Sequence, residues 1–227
     1  FSLGLSLTKN RKRSGTPPAM RNGDLSEFLP KLGFPLTNAQ KRSVGEIASD
    51  MINAEVPMTR LLSGDVGSGK TAVYIRLIYE ALKAGKSAIL LVPEISLTPQ
   101  LLEKLSAHFG QAVAVLHSSL RISERFAQWR RIQSGQARVV VGTRSAVFAP
   151  VQSPGLFILD EEQEHTYKSE NSPRYHAREI ARYRGAKAGA LVLLGSATPS
   201  VESMYRAKCG DYCLYTLKKR YNEDADC

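Results

Sequence analysis

The chain has 227 residues, enough for one domain that buries a sizeable core. Its 43% hydrophobic and 23% charged residues exclude a disordered or fibrous protein. The 31 basic residues exceed the 21 acidic ones and give a net charge of +10, which favours an anionic partner such as nucleic acid, although a merely basic soluble surface gives the same number.

Neither the membrane nor the secreted class fits the sequence. No apolar run approaches the ~20 residues of a membrane span, and residues 1–7 lack the basic leader and cleavage site of a signal peptide. The three cysteines, Cys209, Cys213 and Cys227, are too few for a disulfide framework or a four-ligand zinc site. We therefore expect a cytoplasmic protein without a membrane partner.

Helix-like and strand-like segments alternate from residue 36 onward. Helices are predicted at 37–54, 71–84, 96–109, 123–134, 176–187 and 200–209, and strands at 60–63, 87–92, 112–116, 137–141, 156–159 and 190–194. Several strands are apolar throughout, as in strands covered on both faces. The pattern predicts one α/β domain at 36–217 with a parallel, doubly wound sheet, after a linker or partial N-terminal extension at 1–35 and before a tail at 218–227.

A phosphate-binding loop follows the first predicted strand and precedes an apolar-periodic helix. Glycines let backbone N–H groups converge on phosphate oxygens at a helix N-terminus. Lys70 is expected to reach the β and γ phosphates, and Thr71 to ligate Mg²⁺. The eight residues match the Walker A pattern of P-loop NTPases and are the predicted nucleotide-binding set: Gly64, Asp65, Val66, Gly67, Ser68, Gly69, Lys70 and Thr71.

An acidic run follows the predicted strand 156–159 and completes an ATPase pattern. Asp160 is expected to hold Mg²⁺, directly or through water, and Glu161 to orient the attacking water. An acidic run alone is more often a solvated turn, but beside a Walker A motif the interpretation as part of an ATPase site is favoured. Lys70, Asp160 and Glu161 are the predicted catalytic residues.

Three further blocks lie in a matching order at 93–100, 142–146 and 195–199. They resemble motifs Ia, Ib and III of the superfamily 2 helicases. From residue 71 to about 221, including 115–118 and 165–178, the chain resembles the primosomal replication-restart helicases. Residues 34–42 and 57–67 are more similar to the fork-reversal helicases. Lineage variation, natural recombination and an artificial chimera all explain this mosaic and all leave one helicase lobe.

The resemblance implies a RecA-like lobe 1 that binds ATP and Mg²⁺ and works with a second RecA-like lobe, with 218–227 as a tail or the truncated start of that lobe. It implies a 3′-to-5′ DNA helicase acting on single-stranded or forked DNA in replication restart, repair and recombination. Primosome proteins and single-stranded DNA-binding protein are further implied partners. Because the second lobe is absent from the sequence, we expect poor ATP turnover by this chain alone.

The same resemblance assigns roles outside the two Walker motifs. Gln40 is implied to read adenine, although it is also explained as an exposed helix position. Gln163 stands where both families usually have histidine, which puts the coupling between the ATP and DNA sites in question; the coupling residues are Gln163, Ser196 and Thr198. Phosphate contacts and base stacking are expected from Ser96, Thr98, Thr143, Arg144, Ser145, Tyr167, Lys168, Arg174 and Tyr175.

Two rival functions remain at this point, a P-loop small-molecule kinase or transferase and a non-catalytic nucleic-acid-binding module. The block at 195–199 and the basic loop argue against the first, and the intact Walker residues against the second. Phe126 and Trp129, at i and i+3 of a predicted helix, are interpreted as a buried stripe.

Overall fold

The computed structural model describes residues 36–53 and 59–217, which form one seven-stranded sheet with helices on both faces. The helices are α1 (Asn38–Asn53), α2 (Lys70–Lys83), α3 (Pro99–Phe109), α4 (Ile122–Gln133), α5 (Ala177–Ala188) and α6 (Val201–Lys208). The strands are β1 (Thr59–Gly64), β2 (Ser87–Leu91), β3 (Val113–Leu116), β4 (Val139–Gly142), β5 (Pro154–Leu159), β6 (Leu191–Ser196) and β7 (Tyr212–Leu217).

The sheet is parallel throughout, in the order β3-β4-β2-β5-β6-β1-β7. Residues of α1, α2 and α3 pack with one face, and residues of α4, α5 and α6 with the other. Strands β2, β4 and β6 are buried along their whole length, as two-sided cover requires. The predicted doubly wound α/β fold is confirmed.

Short 3-10 turns follow the strands at the edge where the sequence motifs lie. Turns at Glu94–Ser96, Arg144–Phe148 and His165–Tyr167 come after β2, β4 and β5. The helix expected from residue 96 begins only at Pro99, because Thr98 is its N-cap and accepts a hydrogen bond from the Leu101 backbone N–H. All of these turns lie at the carboxyl ends of the strands, where open α/β sheets bind ligands.

Two features of the fold differ from the sequence prediction. Strand β7 was not predicted, and only three of its six residues are buried, so its apolar pattern is interrupted. Trp129 and Phe126 are not a buried stripe: Phe126 is 56% and Trp129 36% exposed, because α4 places Ile132 against the sheet instead. Within the described ranges, no helix is long and apolar enough to cross a membrane.

Candidate nucleotide and DNA site

The phosphate-binding loop connects the end of β1 to the first turn of α2. Gly67 and Gly69 have positive φ angles of 84° and 79°, a conformation that glycine adopts without a steric penalty. Helix α2 begins at Lys70, so its unpaired N-terminal N–H groups face the loop. The loop borders a cavity of about 370 Å³ lined by Gln40, Asp65, Val66, Gly67, Gly69, Lys70, Thr71, Ala72, Lys104, Asp160 and Glu161.

Lys70 and Gln40 are buried against the loop. The Lys70 ammonium donates to the Gly64 carbonyl at 2.8 Å and lies 3.7 Å from Glu161 Oε1. The Gln40 amide nitrogen donates to the Ser68 carbonyl at 2.8 Å, while its oxygen accepts from the Thr37 backbone N–H at 3.0 Å. Gln40 is 1% exposed, so the alternative of an exposed helix position is wrong. Its adenine contact stays a prediction.

Asp160 follows β5 and faces the same cavity. Its Oδ1 atom accepts hydrogen bonds from the Tyr74 hydroxyl at 2.8 Å and from the Glu161 backbone N–H at 3.1 Å. Burial raises the pKa of the Asp160 carboxyl above its ordinary value, and the Tyr74 hydrogen bond and the charge of Lys70 oppose that rise. Thr71 lines the same cavity, and a carboxylate and a hydroxyl are among the oxygen ligands that Mg²⁺ prefers.

Glu161 is joined by side-chain hydrogen bonds to the end of β6. Its Oε2 atom accepts from the Gln163 amide at 2.9 Å, and the Ser196 hydroxyl donates to the Gln163 oxygen at 2.6 Å. The Thr198 backbone N–H donates to the Ser196 hydroxyl at 2.9 Å. The three predicted coupling residues therefore form one chain that ends at Glu161. Glutamine completes this chain because its amide both donates and accepts.

The backbone of Glu161 has a φ of 47°, a left-handed conformation that is rare outside glycine. A residue in this conformation destabilises the fold by about 1–3 kcal/mol and persists only where the surrounding contacts hold it in place. The hydrogen bonds at its own N–H and from the Glu164 N–H to its carbonyl at 2.9 Å hold it here. The turn aims the Glu161 carboxylate at Lys70 and the cavity.

Glu162, the next acidic residue, is buried in a polar cluster rather than in the cavity. Its Oε1 accepts from the Ser200 backbone N–H at 2.7 Å, and its Oε2 from the Ser203 hydroxyl at 2.9 Å and the Arg178 guanidinium at 3.2 Å. Arg178 also pairs with Glu202. The cluster ties the acidic run to the first turns of α5 and α6.

The predicted phosphate-binding residues of the β2 and β4 turns differ in accessibility. Ser145 is exposed, and Ser96 and Thr98 are half-buried. Thr143 is buried, and its backbone N–H donates to the Leu116 carbonyl at 3.1 Å. The Thr143 carbonyl accepts from the Ala146 N–H at 2.9 Å, so both backbone groups are bonded within the fold, and the DNA contact of Thr143 stays a prediction.

The loop at 165–178 has one buried and several accessible members. Tyr167 is 1% exposed, and its hydroxyl donates to the Leu91 carbonyl at 3.0 Å and the Asp160 carbonyl at 2.6 Å. Its ring belongs to the core, so the prediction that it stacks on a nucleobase is wrong. Lys168 and Arg174 are exposed, and Tyr175 is half-buried.

Arg144 holds this loop against the β4 turn. Its Nη1 atom donates to the Lys168 carbonyl at 2.7 Å and the Thr166 carbonyl at 3.2 Å, and its guanidinium lies 5.8 Å from the Tyr175 ring centroid. Phe148 packs edge-on against the same ring at 5.0 Å. The structure thus gives Arg144 a structural partner, and its DNA contact stays a prediction.

Sequence reasoning missed Tyr74 and Lys104, and it placed Arg178 in the basic loop at 165–178 without its buried partner Glu162. Tyr74 lies four residues after Lys70, so the helical spacing places both on one face of α2, a signal that was available. Arg178 is one of many arginines, and its buried partner Glu162 cannot be recognised without the fold. In the parts of the chain that the structure describes, no group of three or more His, Cys, Asp or Glu side chains is placed to hold a metal ion.

Comparison with known proteins agrees with this geometry. The model of the family described as DEAD/DEAH box helicase matches residues 37–207. The chain is 47% identical over 189 residues to the replication restart protein PriA of Bacillus subtilis. The matched segment covers 83% of this chain and 23% of that protein. PriA of Chlamydia pneumoniae is 46% identical over 198 residues, covering 87% and 26%.

Solved structures give the same relationship. A structure of RecG bound to a three-way DNA junction is similar with a TM-score of 0.70 at 33% identity, covering 94% of this chain and 28% of that one. A DEAD box protein from Methanococcus jannaschii shares the fold with a TM-score of 0.61 at 22% identity. The chain spans about a quarter of the length of the PriA and RecG relatives.

Proposed function

Because the chain belongs to the DEAD/DEAH box helicase family, we propose that it is the ATP-binding lobe of a 3′-to-5′ DNA helicase acting at branched DNA or stalled replication forks. Residues 36–217 are the proposed RecA-like lobe 1. The observation that carries the proposal is the continuous polar chain from Lys70 through Glu161 and Gln163 to Ser196. It connects Lys70 of the phosphate loop to Ser196, the last residue of β6 and part of the block at 195–199.

Nucleotide binding rests on the loop between β1 and α2. The glycine-rich backbone and the N-terminus of α2 offer N–H groups and a favourable dipole to phosphates. The Lys70 ammonium has three N–H donors, of which one is bonded to the Gly64 carbonyl, so others remain for the β and γ phosphates. Gln40, packed on Ser68 and Gly69, is the proposed adenine-side residue.

A magnesium ion fits the residues present. Thr71 and Asp160 line one cavity and supply two oxygen ligands, consistent with an ion that keeps several waters and also binds phosphate oxygens. When bound, Mg²⁺ neutralises charge that develops on the phosphates. Asp160 is held in place by two hydrogen bonds to Oδ1, and Glu161 is the proposed residue that orients the attacking water.

A second RecA-like lobe is proposed to complete the site. Arginines supplied from outside such a site contribute roughly 10³-fold or more to phosphoryl transfer. We therefore expect this chain alone to bind ATP and to hydrolyse it slowly.

DNA is the proposed partner of the turns after β2, β4 and β5. Accessible Ser145, Lys168 and Arg174 offer hydroxyl and cationic groups to phosphates, and the half-buried Tyr175 offers an aromatic ring for stacking. Arg144 connects this surface to the loop that follows Glu161. For the whole protein we propose primosome proteins and single-stranded DNA-binding protein as partners, and a cytoplasmic location, because bacterial DNA lies there.

The test measures nucleotide binding and ATP hydrolysis with and without forked or single-stranded DNA. A fluorescent ATP analogue is titrated into the wild-type chain and Lys70→Ala, with Lys83→Ala, in the last turn of α2, as the matched control. We expect Lys70→Ala alone to lose binding, and wild-type turnover to be slow.

The rival functions give different results in the same experiment. Brisk DNA-independent turnover, or transfer of phosphate to a small acceptor, would favour a kinase or transferase. DNA binding without nucleotide binding would leave a non-catalytic nucleic-acid-binding module.

A further inference from the structure

Tyr74 lies on α2, one turn after Lys70, and belongs to none of the motifs described above. Its side chain is 1% exposed, and its hydroxyl donates a 2.8 Å hydrogen bond to Asp160 Oδ1. A tyrosine that served only to fill space would need no hydroxyl, because burial of that group costs free energy unless it is bonded. The hydroxyl is therefore the informative part of the residue.

The hydrogen bond acts on one oxygen of the carboxylate. Oδ1 of Asp160 accepts from both the Tyr74 hydroxyl and the Glu161 backbone N–H, whereas no residue that the structure describes donates to Oδ2. Two donors on one oxygen fix the rotation of the carboxylate. Oδ2 is thereby left as the oxygen available to a cation in the cavity that Asp160 lines.

The same hydroxyl lies directly against β6. A Cβ atom added at Gly195 would meet the Tyr74 hydroxyl oxygen at 1.8 Å and its Cζ at 2.8 Å. Gly195 also accepts a hydrogen bond from the Glu162 N–H at 3.0 Å. Glycine at 195 thus creates the space in which Tyr74 reaches Asp160.

We propose that Tyr74 is a positioning residue that holds the Asp160 carboxylate in the orientation required to bind Mg²⁺ with the nucleotide, and that Gly195 keeps the space it needs. The inference rests on the proposed nucleotide and Mg²⁺ site. Through the Gly195 contact, a shift of β6 moves the phenol and with it the carboxylate.

The test separates metal-dependent from metal-free nucleotide binding. Affinity for a fluorescent ATP analogue is measured across a Mg²⁺ series and in EDTA for the wild type, Tyr74→Phe and the control Tyr79→Phe, which changes a half-buried tyrosine on the same helix. Electron paramagnetic resonance of Mn²⁺ gives a second, direct readout of the metal. Tyr74→Phe keeps the ring, so packing and thermal unfolding serve as checks on the fold.

We expect Tyr74→Phe to raise the Mg²⁺ concentration at half-saturation roughly tenfold, the effect of one hydrogen bond to a charged group, and to leave binding in EDTA unchanged. Tyr79→Phe should match the wild type. An unchanged Mg²⁺ dependence in Tyr74→Phe would overturn the proposal, as would equal losses with and without metal, which indicate a packing role.

A second variant tests the contact with β6. Gly195→Ala should reproduce the Mg²⁺ defect, because the added methyl group displaces the phenol. In the Tyr74→Phe background the same change should cost less, since the 1.8 Å contact is removed and only the 2.8 Å contact remains. Strictly additive Mg²⁺ defects of Gly195→Ala and Tyr74→Phe would count against the proposed contact between Gly195 and Tyr74. A wild-type chain without any nucleotide binding would instead refute the proposed function.

Discussion

Glu162 follows the predicted catalytic residues Asp160 and Glu161, but we expect its main contribution to be to the free energy of unfolding. Its side chain is fully buried, and it accepts from the Ser200 backbone N–H, from two hydroxyls and from Arg178. Glu162→Gln keeps the shape but removes the charge and turns one acceptor into a donor that faces other donors. Breaking a buried ion pair costs about 3–5 kcal/mol.

The lower end of that range applies, because Arg178 keeps Glu202 as a second partner. A loss of about 3 kcal/mol corresponds to a fall in Tm of roughly 6–12 °C for a chain of this size. Thermal and urea unfolding followed by circular dichroism measure it. The matched control is Glu179→Gln, which pairs with the same arginine but is 35% exposed and should lose at most about 1 kcal/mol. Equal Tm values for the two variants would refute the reasoning.

Three further results are expected. Burial and the charge of Arg178 lower the pKa of His176. As the pH falls below about 6.5, the unfolded chain therefore takes up a proton that the native chain does not, and the free energy of unfolding should decrease. His176→Asn should make this decrease toward low pH smaller. Gly69→Ala should weaken nucleotide binding more than Gly85→Ala, since both have positive φ but only at Gly69 would a Cβ meet another side chain, at 2.1 Å. The single tryptophan, Trp129, should be quenched readily by acrylamide, whereas a blue-shifted, protected emission would contradict its exposure.

The sequence predicts the parts of the fold that depend on continuous apolar strands and on glycine chemistry. Strands β2, β4 and β6 are apolar throughout, and the Walker A loop has the glycines its backbone requires, so both were predictable. Strand β7 was not, because at the sheet edge only alternate positions need to be apolar and its pattern is irregular.

The predictions that were wrong concern which face of an element is covered. An i, i+3 pair of aromatics suggests a core stripe, yet α4 turns Phe126 and Trp129 outward because Ile132 is the residue that it buries. Tyr167 lies in a polar, basic loop, and only the fold shows that its hydroxyl reaches the carbonyls of Leu91 and Asp160. Composition gives the character of a segment but not the direction of a side chain.

The position of β1 in the sheet constrains when the nucleotide site can form during synthesis. Thr59 pairs with Val192 on one side and with Tyr212 on the other, so both neighbours of β1 emerge from the ribosome more than 100 residues later. Closing such long segments is slow, and folding rates fall as contacting residues become more distant in sequence. Strand β1, which carries the phosphate loop, can therefore complete its pairing only after β7 has been synthesised. A nascent chain that ends before β6 has no partner strand for β1 and so no paired strand to support the loop.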